Sequence, residues 1–200
     1  MSTRALFITR LYEADLTGQK GFDAALLAQA ARAIAAEDKA GRAWARDHGY
    51  GGYTSYASLN DLTRRDSLFD DLRRLLDRHV ATCADEFFLE RSKLKLESLW
   101  INILKAGAAH SGHIHPASVL SGTVYLEVPN GASPIRFEDP RLAMMMAAPR
   151  RIPAAPETDR TFVYVDATPG GLLLWESFLR HEVPANMAKS ERISLSFNYA

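Results

Sequence analysis

The chain has 200 residues, of which 47% are hydrophobic and 24% are charged, as expected for one soluble globular domain. Its 24 basic and 24 acidic residues balance. This balance argues against a general nucleic-acid-binding protein, because such proteins usually carry a basic excess. Cys83 is the only cysteine, so an intrachain disulfide is excluded.

The apolar runs of the chain are short. The longest, such as residues 170–175, fall far below the ~20 residues that cross a bilayer. The N-terminal sequence also has no apolar stretch of signal-peptide length. We therefore expect a cytoplasmic protein with neither a membrane partner nor a nucleic-acid partner.

The first half of the chain predicts helices. Two stripes of apolar residues recur at steps of three and four, and Asp23 precedes the first stripe as a candidate N-cap. Such stripes indicate helix faces that pack on a core. The first stripe contains Leu26, Leu27, Ala30, Ala31 and Ile34, and the second contains Phe69, Leu72, Leu76, Val80, Cys83 and Phe87.

Residues 48–56, which are rich in glycine and tyrosine, separate the two helical stripes. Long glycine-containing loops are often functional, but they equally often only connect elements. The segment is therefore either a connection whose tyrosines cover the core or a lid that contacts a substrate.

From Lys93 onward the hydrophobic period changes to two, which is typical of strands. We predict an α+β protein with an antiparallel β core and helices packed on one sheet. Residues 1–200 form one domain in this interpretation, with residues 1–92 as helical support and loop and residues 93–200 as the β core. The predicted strands cover residues 93–104, 119–128, 135–137, 162–165, 171–175 and 192–199.

His113 and His115 lie two positions apart. In an extended chain such residues point to the same side, so both imidazoles can reach one metal ion. The pair by itself is also compatible with surface histidines on a loop. His110 falls on the opposite side if the strand continues, and we expect it in a turn or beside the ligands rather than among them.

A lone histidine, His181, follows the buried-looking strand 171–175, and an alternating strand comes next. On that last strand Arg192, Ser194, Ser196 and Asn198 share one face. If the face points to solvent, the row has no special role. If it points into a barrel, Arg192 and Ser194 form a site for a carboxylate.

These motifs, in this order, resemble a bacterial and phage branch of the 2OG-Fe(II) oxygenases, within the 2-oxoglutarate/Fe(II)-dependent dioxygenases. The resemblance rests on Trp100-Ile-Asn102, His113-Ile-His-Pro116, residues 118–126, Phe137-x-Asp-Pro-Arg141 and residues 192–198. It implies a double-stranded β-helix, or jelly roll, that binds Fe(II) and uses 2-oxoglutarate as a co-substrate.

By resemblance, His113, His115 and His181 are the metal ligands, and His115 occupies the position that usually holds Asp or Glu. The common set is two histidines and one carboxylate. The alternative is that Glu138, Asp139 or Asp166 completes the metal shell. Replacing the carboxylate by imidazole leaves the site one charge more positive.

The resemblance also implies a reaction, in which an unidentified small molecule or peptide is hydroxylated with release of succinate and CO2. Arg192 and Ser194 would hold the far carboxylate of 2-oxoglutarate. Asn102 and Tyr125 either hydrogen-bond the co-substrate or are satisfied within the sheet. Nothing in the sequence indicates the oligomeric state.

Two other functions are also compatible with the sequence. A cupin enzyme would share the His-x-His motif, but its expected glutamate falls on Val119 or Leu120, which cannot bind metal. A non-catalytic metal- or ligand-binding barrel is the second alternative, because the carboxylate ligand is replaced.

Overall fold

The computed structural model describes residues 2–200, and three α-helices and ten β-strands lie within that range. The helices are α1 (Ala24–Glu37), α2 (Lys39–Asp47) and α3 (Ser67–Phe87). The strands are β1 (Leu11–Asp15), β2 (Gly52–Thr54), β3 (Leu96–Leu104), β4 (His110–His113), β5 (Leu120–Glu127), β6 (Ile135–Glu138), β7 (Phe162–Val165), β8 (Gly171–Glu176), β9 (His181–Val183) and β10 (Arg192–Tyr199).

Each helix begins at an aspartate whose side chain accepts a hydrogen bond from a backbone N–H of the first turn. The caps are Asp23, Asp38 and Asp66, and each satisfies a donor that has no partner within the helix. The cap predicted at Asp23 is confirmed. Leu26 was predicted to face the core, but it is half exposed, because α1 turns Leu27 inward instead.

The strands form two sheets, and every pairing within them is antiparallel. The larger sheet has the order β1-β8-β5-β10-β3-β2, and the smaller sheet has the order β4-β9-β6-β7. The predicted class of helices combined with an antiparallel β core is confirmed. The edge strands β1 and β2 lie in the first half of the chain, where the sequence predicted helices and a loop.

The two faces of the larger sheet differ in chemistry. The outer face packs against the helices, and Leu27 and Leu72 contact the same buried cluster as Ile101, Val124 and Leu195. The inner face meets the smaller sheet through a second buried cluster and carries small polar residues. Alternation along the strands therefore separates an apolar core from a polar interior surface.

Helix α3 is amphipathic. Its buried side carries Phe69, Leu72 and Leu76, and its outer side carries Asp–Arg ion pairs three and four residues apart. None of the helices within residues 2–200 has both the length and the apolar character needed to cross a membrane.

We predict that Tyr199→Phe destabilises the protein by about 1–2 kcal/mol, because the Tyr199 hydroxyl ties β10 to α3 by donating to the Asp77 carboxylate at 2.7 Å. The free energy of unfolding in denaturant measures this change. Tyr56→Phe is a matched control, because Tyr56 is half exposed and its hydroxyl makes no hydrogen bond within the described residues. Equal stability of the two variants would contradict a stabilising role of the hydrogen bond between Tyr199 and Asp77.

Candidate metal centre

Strand pairing brings the three predicted histidines together. Strands β4 and β9 are antiparallel neighbours, and His113 lies directly opposite His181. His115 follows two residues after β4 ends, where its backbone N–H donates to the Ser177 carbonyl at 3.1 Å. That bond holds the chain beyond the strand in position and keeps the third imidazole beside the other two.

The distances between the rings suit one metal ion. The Nε2 atoms of His115 and His181 are 3.3 Å apart, and one ligand nitrogen from each of the three histidines lies within 4.8 Å of the others. Two nitrogens bound to one ion at ~2.1 Å can be no more than about 4.2 Å apart. Shifts of a few tenths of an ångström therefore allow all three to bind at once.

Two of the rings are oriented by backbone carbonyls. His113 Nδ1–H donates to the Ser111 carbonyl at 2.7 Å, and His181 Nδ1–H donates to the Leu179 carbonyl at 2.9 Å. A neutral imidazole carries one N–H, so the proton on Nδ1 leaves the Nε2 lone pair free. This arrangement fixes the tautomer that metal-binding histidines use.

His110 lies in the same cavity as the three candidate ligands, beside them and not among them, as the sequence predicted. The pairing of β4 with β9 is irregular between His110 and His113, and such a bulge puts residues three apart on one side. Its ring stacks on that of His113 at 4.3 Å. His110 is outside the group of three whose nitrogens converge.

Burial keeps these imidazoles neutral. Desolvation lowers the pKa of His181 and of His110 to about 3, and lowers the pKa of His115 to about 4. It also lowers the pKa of His113. Neighbouring imidazoles add to the effect on the first three, because two adjacent positive rings would repel each other. At neutral pH the nitrogen lone pairs are therefore available to a cation.

The polar face of β10 points into the molecule rather than to solvent. Arg192, Ser194 and Asn198 are buried, and Arg192, Ser194 and Ser196 line a cavity together with the histidines. A chain of hydrogen bonds crosses this face from Thr54 through Asn102 and Ser196 to Thr123, with steps of 2.9, 3.0 and 3.4 Å.

Arg192 is a buried cation with no carboxylate partner within residues 2–200. Its guanidinium donates one hydrogen bond to the Ser133 carbonyl at 2.8 Å and lies over the Tyr125 ring, 4.8 Å from its centroid. The residues that line the cavity include no aspartate or glutamate. A buried charge is unfavourable unless it is paired, so this end of the cavity suits an anion.

The other two predicted polar residues differ in their surroundings. The Asn102 side chain lines the cavity but already bonds Thr54 and Ser196. Tyr125 is almost fully buried beneath Arg192, and its hydroxyl has no hydrogen-bond partner within the described part of the chain. A buried hydroxyl without a partner is unusual and indicates a position where a bound molecule or water completes the bonding.

The three acidic residues considered as alternative ligands are not in the converging group, which contains histidines alone among residues 2–200. Glu138 pairs with Arg180 at 3.2 Å, and Asp139 pairs with Arg141 at 2.8 Å. Asp166 follows the end of β7, outside the group. The geometry therefore favours three imidazoles over a mixed set of ligands.

Aromatic residues that were not among the predicted site residues complete the cavity wall. Tyr50, Trp100 and Trp175 all line it. Tyr50 comes from the segment 48–56 and packs edge-on against His110, so this segment contributes to the cavity. Tyr56, at the end of the segment, contacts Trp100, which in turn lies beside His115. The aromatic residues thus lead from the surface to the histidines.

A comparison with protein families matches residues 98–198 to the family described as "Putative 2OG-Fe(II) oxygenase". The chain belongs to this family. The predicted family, the oxygenase class, and the use of Fe(II) with 2-oxoglutarate are thereby confirmed at the level of the family. No curated protein is similar enough to match the chain.

Solved structures share the fold. A 2OG-Fe(II) oxygenase family oxidoreductase from Burkholderia pseudomallei is 18% identical over 68% of this chain, with a TM-score of 0.50, and the match spans only 58% of that protein. A Pseudomonas putida prolyl-4-hydroxylase is 18% identical over 96% of this chain and 92% of its own, with a TM-score of 0.61. The epimerase SnoN, in complex with Fe3+, alpha ketoglutarate and nogalamycin RO, is 18% identical over 96% of this chain and 78% of its own, with a TM-score of 0.60.

We predict that the metal-free protein loses stability as the pH falls below about 6.5, the usual pKa of histidine in an unfolded chain. The folded protein keeps His110, His115 and His181 neutral to about pH 3–4. The unfolded chain therefore binds more protons in this window, and each of these histidines contributes about 1.4 kcal/mol per pH unit.

Denaturant unfolding of the chelator-treated protein between pH 7.5 and 5 measures this slope. The His181→Asn variant lacks one of the imidazoles whose pKa is lowered by burial, so its slope should be shallower. Identical slopes for the two proteins would show that His181 is not held neutral by the fold.

Proposed function

We propose that this protein is an Fe(II)- and 2-oxoglutarate-dependent oxygenase in which His113, His115 and His181 hold the metal and Arg192 and Ser194 hold the co-substrate. The observation that carries the proposal is the convergence of three imidazoles in a cavity whose far end carries a buried, unpaired guanidinium. In this interpretation the two antiparallel sheets form a double-stranded β-helix, or jelly roll.

The donor set fits Fe(II). Imidazole nitrogen is a good ligand for first-row divalent metals, and a site with three protein ligands leaves open positions for a co-substrate and oxygen. The backbone bonds to the Nδ1 atoms of His113 and His181 direct the Nε2 atoms to the shared point. His115 is the departure from the common triad, because it replaces a carboxylate by a neutral ring.

The charge of the cavity supports a dianionic partner. Fe(II) with three neutral imidazoles retains two positive charges, and Arg192 adds a third at the other end. The cavity lining supplies no acidic side chain to offset them. 2-Oxoglutarate carries two carboxylates on a short chain, so it neutralises both ends of the cavity at once.

The far carboxylate would be held at Arg192. The guanidinium has further N–H donors beyond the one bound to Ser133. Ser194 lies on the same inner face, directly opposite Tyr125 on the neighbouring strand, and its hydroxyl has no partner within residues 2–200. The Tyr125 hydroxyl also lacks a partner. These donors together could satisfy one carboxylate group.

When bound, Fe(II) with 2-oxoglutarate supplies the activation of oxygen that hydroxylates a substrate, with release of succinate and CO2. The residues of this chain bind and orient the reactants. The imidazoles fix the ion, Arg192 and Ser194 fix the co-substrate, and the ring of Trp100 lies beside His115.

The substrate is proposed to be a small molecule or a peptide that enters along Tyr56 and Trp100. Two proteins of similar fold, by their names, act on prolyl residues and on a nogalamycin compound, so the fold accommodates both kinds of substrate. We further propose a single domain over residues 1–200, a cytoplasmic location and no nucleic-acid partner.

We predict that His181→Ala abolishes stoichiometric iron binding, because one of three ligands is lost. The purified variant should also form no succinate from 2-oxoglutarate in the presence of Fe(II) and oxygen, whereas the unchanged protein should form it. Elemental analysis and succinate quantification measure the two effects. His48→Ala is the matched control, because His48 stacks on Trp44 outside the cavity.

Unchanged iron content in His181→Ala would refute the metal assignment. A second measurement distinguishes a catalytic protein from one that only binds its ligands. If the unchanged protein bound iron and 2-oxoglutarate but never formed succinate, even with candidate substrates, a non-catalytic binding protein would be favoured. The replacement of the carboxylate ligand by His115 is the feature that gives this second function its support.

We predict that Arg192→Ala weakens 2-oxoglutarate binding by roughly 2–5 kcal/mol, as expected when one partner of a buried charge pair is removed. Iron content should be unchanged, since Arg192 is not a ligand. Calorimetry of the iron-loaded protein without oxygen measures the affinity, and Arg46→Ala, on an exposed part of α2, is the control. Equal affinities would exclude Arg192 from co-substrate binding.

A further inference from the structure

Trp175 is a cavity residue that the proposed function leaves without a role. It lies on β8, opposite Ser121 of β5, and faces the interior between the two sheets. The side chain is 2% exposed, and it lines the same cavity as the three histidines and Arg192.

The indole N–H of Trp175 has no acceptor within the described residues 2–200. A buried tryptophan usually finds a hydrogen-bond partner for this group, because leaving a donor unsatisfied in a dry interior is unfavourable. A phenylalanine would fill the same apolar environment without that penalty. The unpaired N–H therefore points to an acceptor that arrives with a bound molecule.

No neighbour of Trp175 in the described part of the chain places an acceptor within hydrogen-bond reach of its N–H. The hydroxyls of Ser121 and Ser177 bond each other at 2.8 Å, and Ser121 also donates to the Asn198 side chain at 2.8 Å. Phe137, whose ring meets the indole edge to face, offers no lone pair. The His181 ring centroid is 4.7 Å away, and the free lone pair of that ring belongs to the metal site.

The position of Trp175 places it at the metal end of the cavity. Ser121 pairs with both Trp175 and Asn198, whereas Arg192 lies six residues earlier on β10. Six residues of extended strand correspond to ~20 Å. Trp175 and Arg192 thus approach the cavity from opposite ends, with Trp175 beside His181. Both side chains extend from their strands into the same cavity, so one ligand with an acceptor at each end can contact both groups.

We propose that the Trp175 indole N–H donates a hydrogen bond to the carboxylate of 2-oxoglutarate at the metal end of the cavity, the end opposite the carboxylate held by Arg192. The inference rests on the proposed function, since it requires the co-substrate to occupy this cavity. It adds a binding residue from β8, a strand that supplies no other polar contact to the site.

Trp175 would add a fixed contact at the metal end of the co-substrate to the one that Arg192 and Ser194 make at the other end. Coordination alone leaves a bound molecule free to tilt about the ion, whereas a donor fixed in a packed core holds one oxygen in place. Trp175 is locked between Phe137 and His181. Its N–H therefore has a defined direction before the co-substrate arrives.

The test compares Trp175→Phe with the unchanged protein, each loaded with Fe(II) in the absence of oxygen. Phenylalanine keeps a ring in the cavity wall and removes only the donor. We expect the Kd for 2-oxoglutarate to rise about 10- to 100-fold, the range for losing one hydrogen bond to a charged group. Iron content should be unchanged. Trp44→Phe, on α2, is the matched control and should bind as the unchanged protein does.

A spectroscopic signal distinguishes this role from a structural one. The visible charge-transfer band of Fe(II) bound to a 2-keto acid should shift in Trp175→Phe and stay unchanged in Trp44→Phe, because the hydrogen bond alters the electron density of the bound carboxylate. Full affinity together with an unshifted band in Trp175→Phe would overturn the proposal. Failure of the unchanged protein to bind 2-oxoglutarate would instead refute the proposed function.

Loss of folding in Trp175→Phe is checked separately by its unfolding midpoint. If that variant were unfolded, Trp175→Leu would provide the comparison, since leucine is apolar and has no donor. Equal affinity of a folded Trp175→Leu variant would likewise count against the hydrogen bond.

Discussion

The antiparallel pairing of β4 with β9 is the constraint on which the candidate site depends. It sets His113 directly opposite His181, and the bond from the His115 backbone to Ser177 adds the third ring. Because strand register has a period of two, a slip of one residue would turn an imidazole away from the shared point. Backbone hydrogen bonds thus set the positions of the three imidazoles of the candidate metal site.

The inner face of the larger sheet carries buried polar groups, and the burial of those without a partner is energetically unfavourable. Thr54, Asn102 and Ser196 satisfy one another, but Arg192 has no carboxylate, and Tyr125 and Trp175 have no hydrogen-bond partner, within residues 2–200. Unpaired groups of this kind are rare in protein interiors. Arg192 and Trp175 line one cavity and Tyr125 lies directly beneath Arg192, while the helix-packed face of the same sheet is apolar. This concentration indicates that the cavity is built to receive a polar ligand.

In the proposed metal site, His115 stands where the common triad has a carboxylate, and this changes the balance of charge in the cavity. The usual triad offsets part of the ion's charge with its own carboxylate, whereas three neutral imidazoles leave that charge for the co-substrate and solvent to balance. Arg192 adds positive charge at the other end, and the cavity lining contains no acidic residue. A dianion such as 2-oxoglutarate therefore contributes more to the electrostatics of this site than it would beside a ligand carboxylate.

Local signals in the sequence predicted two of the helices, six of the strands and the candidate site residues. Strand alternation placed Arg192 and Ser194 on one face, helical periodicity identified α1 and α3, and the motifs from Trp100 to Asn198 identified the family. The tertiary structure alone decided which residues meet. The short strands β1 and β2 exist because they pair with β8 and β3, and the irregular register of β4 turned His110 into the cavity. The pairing of β8 with β5 likewise placed Trp175 beside His181. Such contacts depend on pairing between distant segments, and periodicity within one segment carries no information about that pairing.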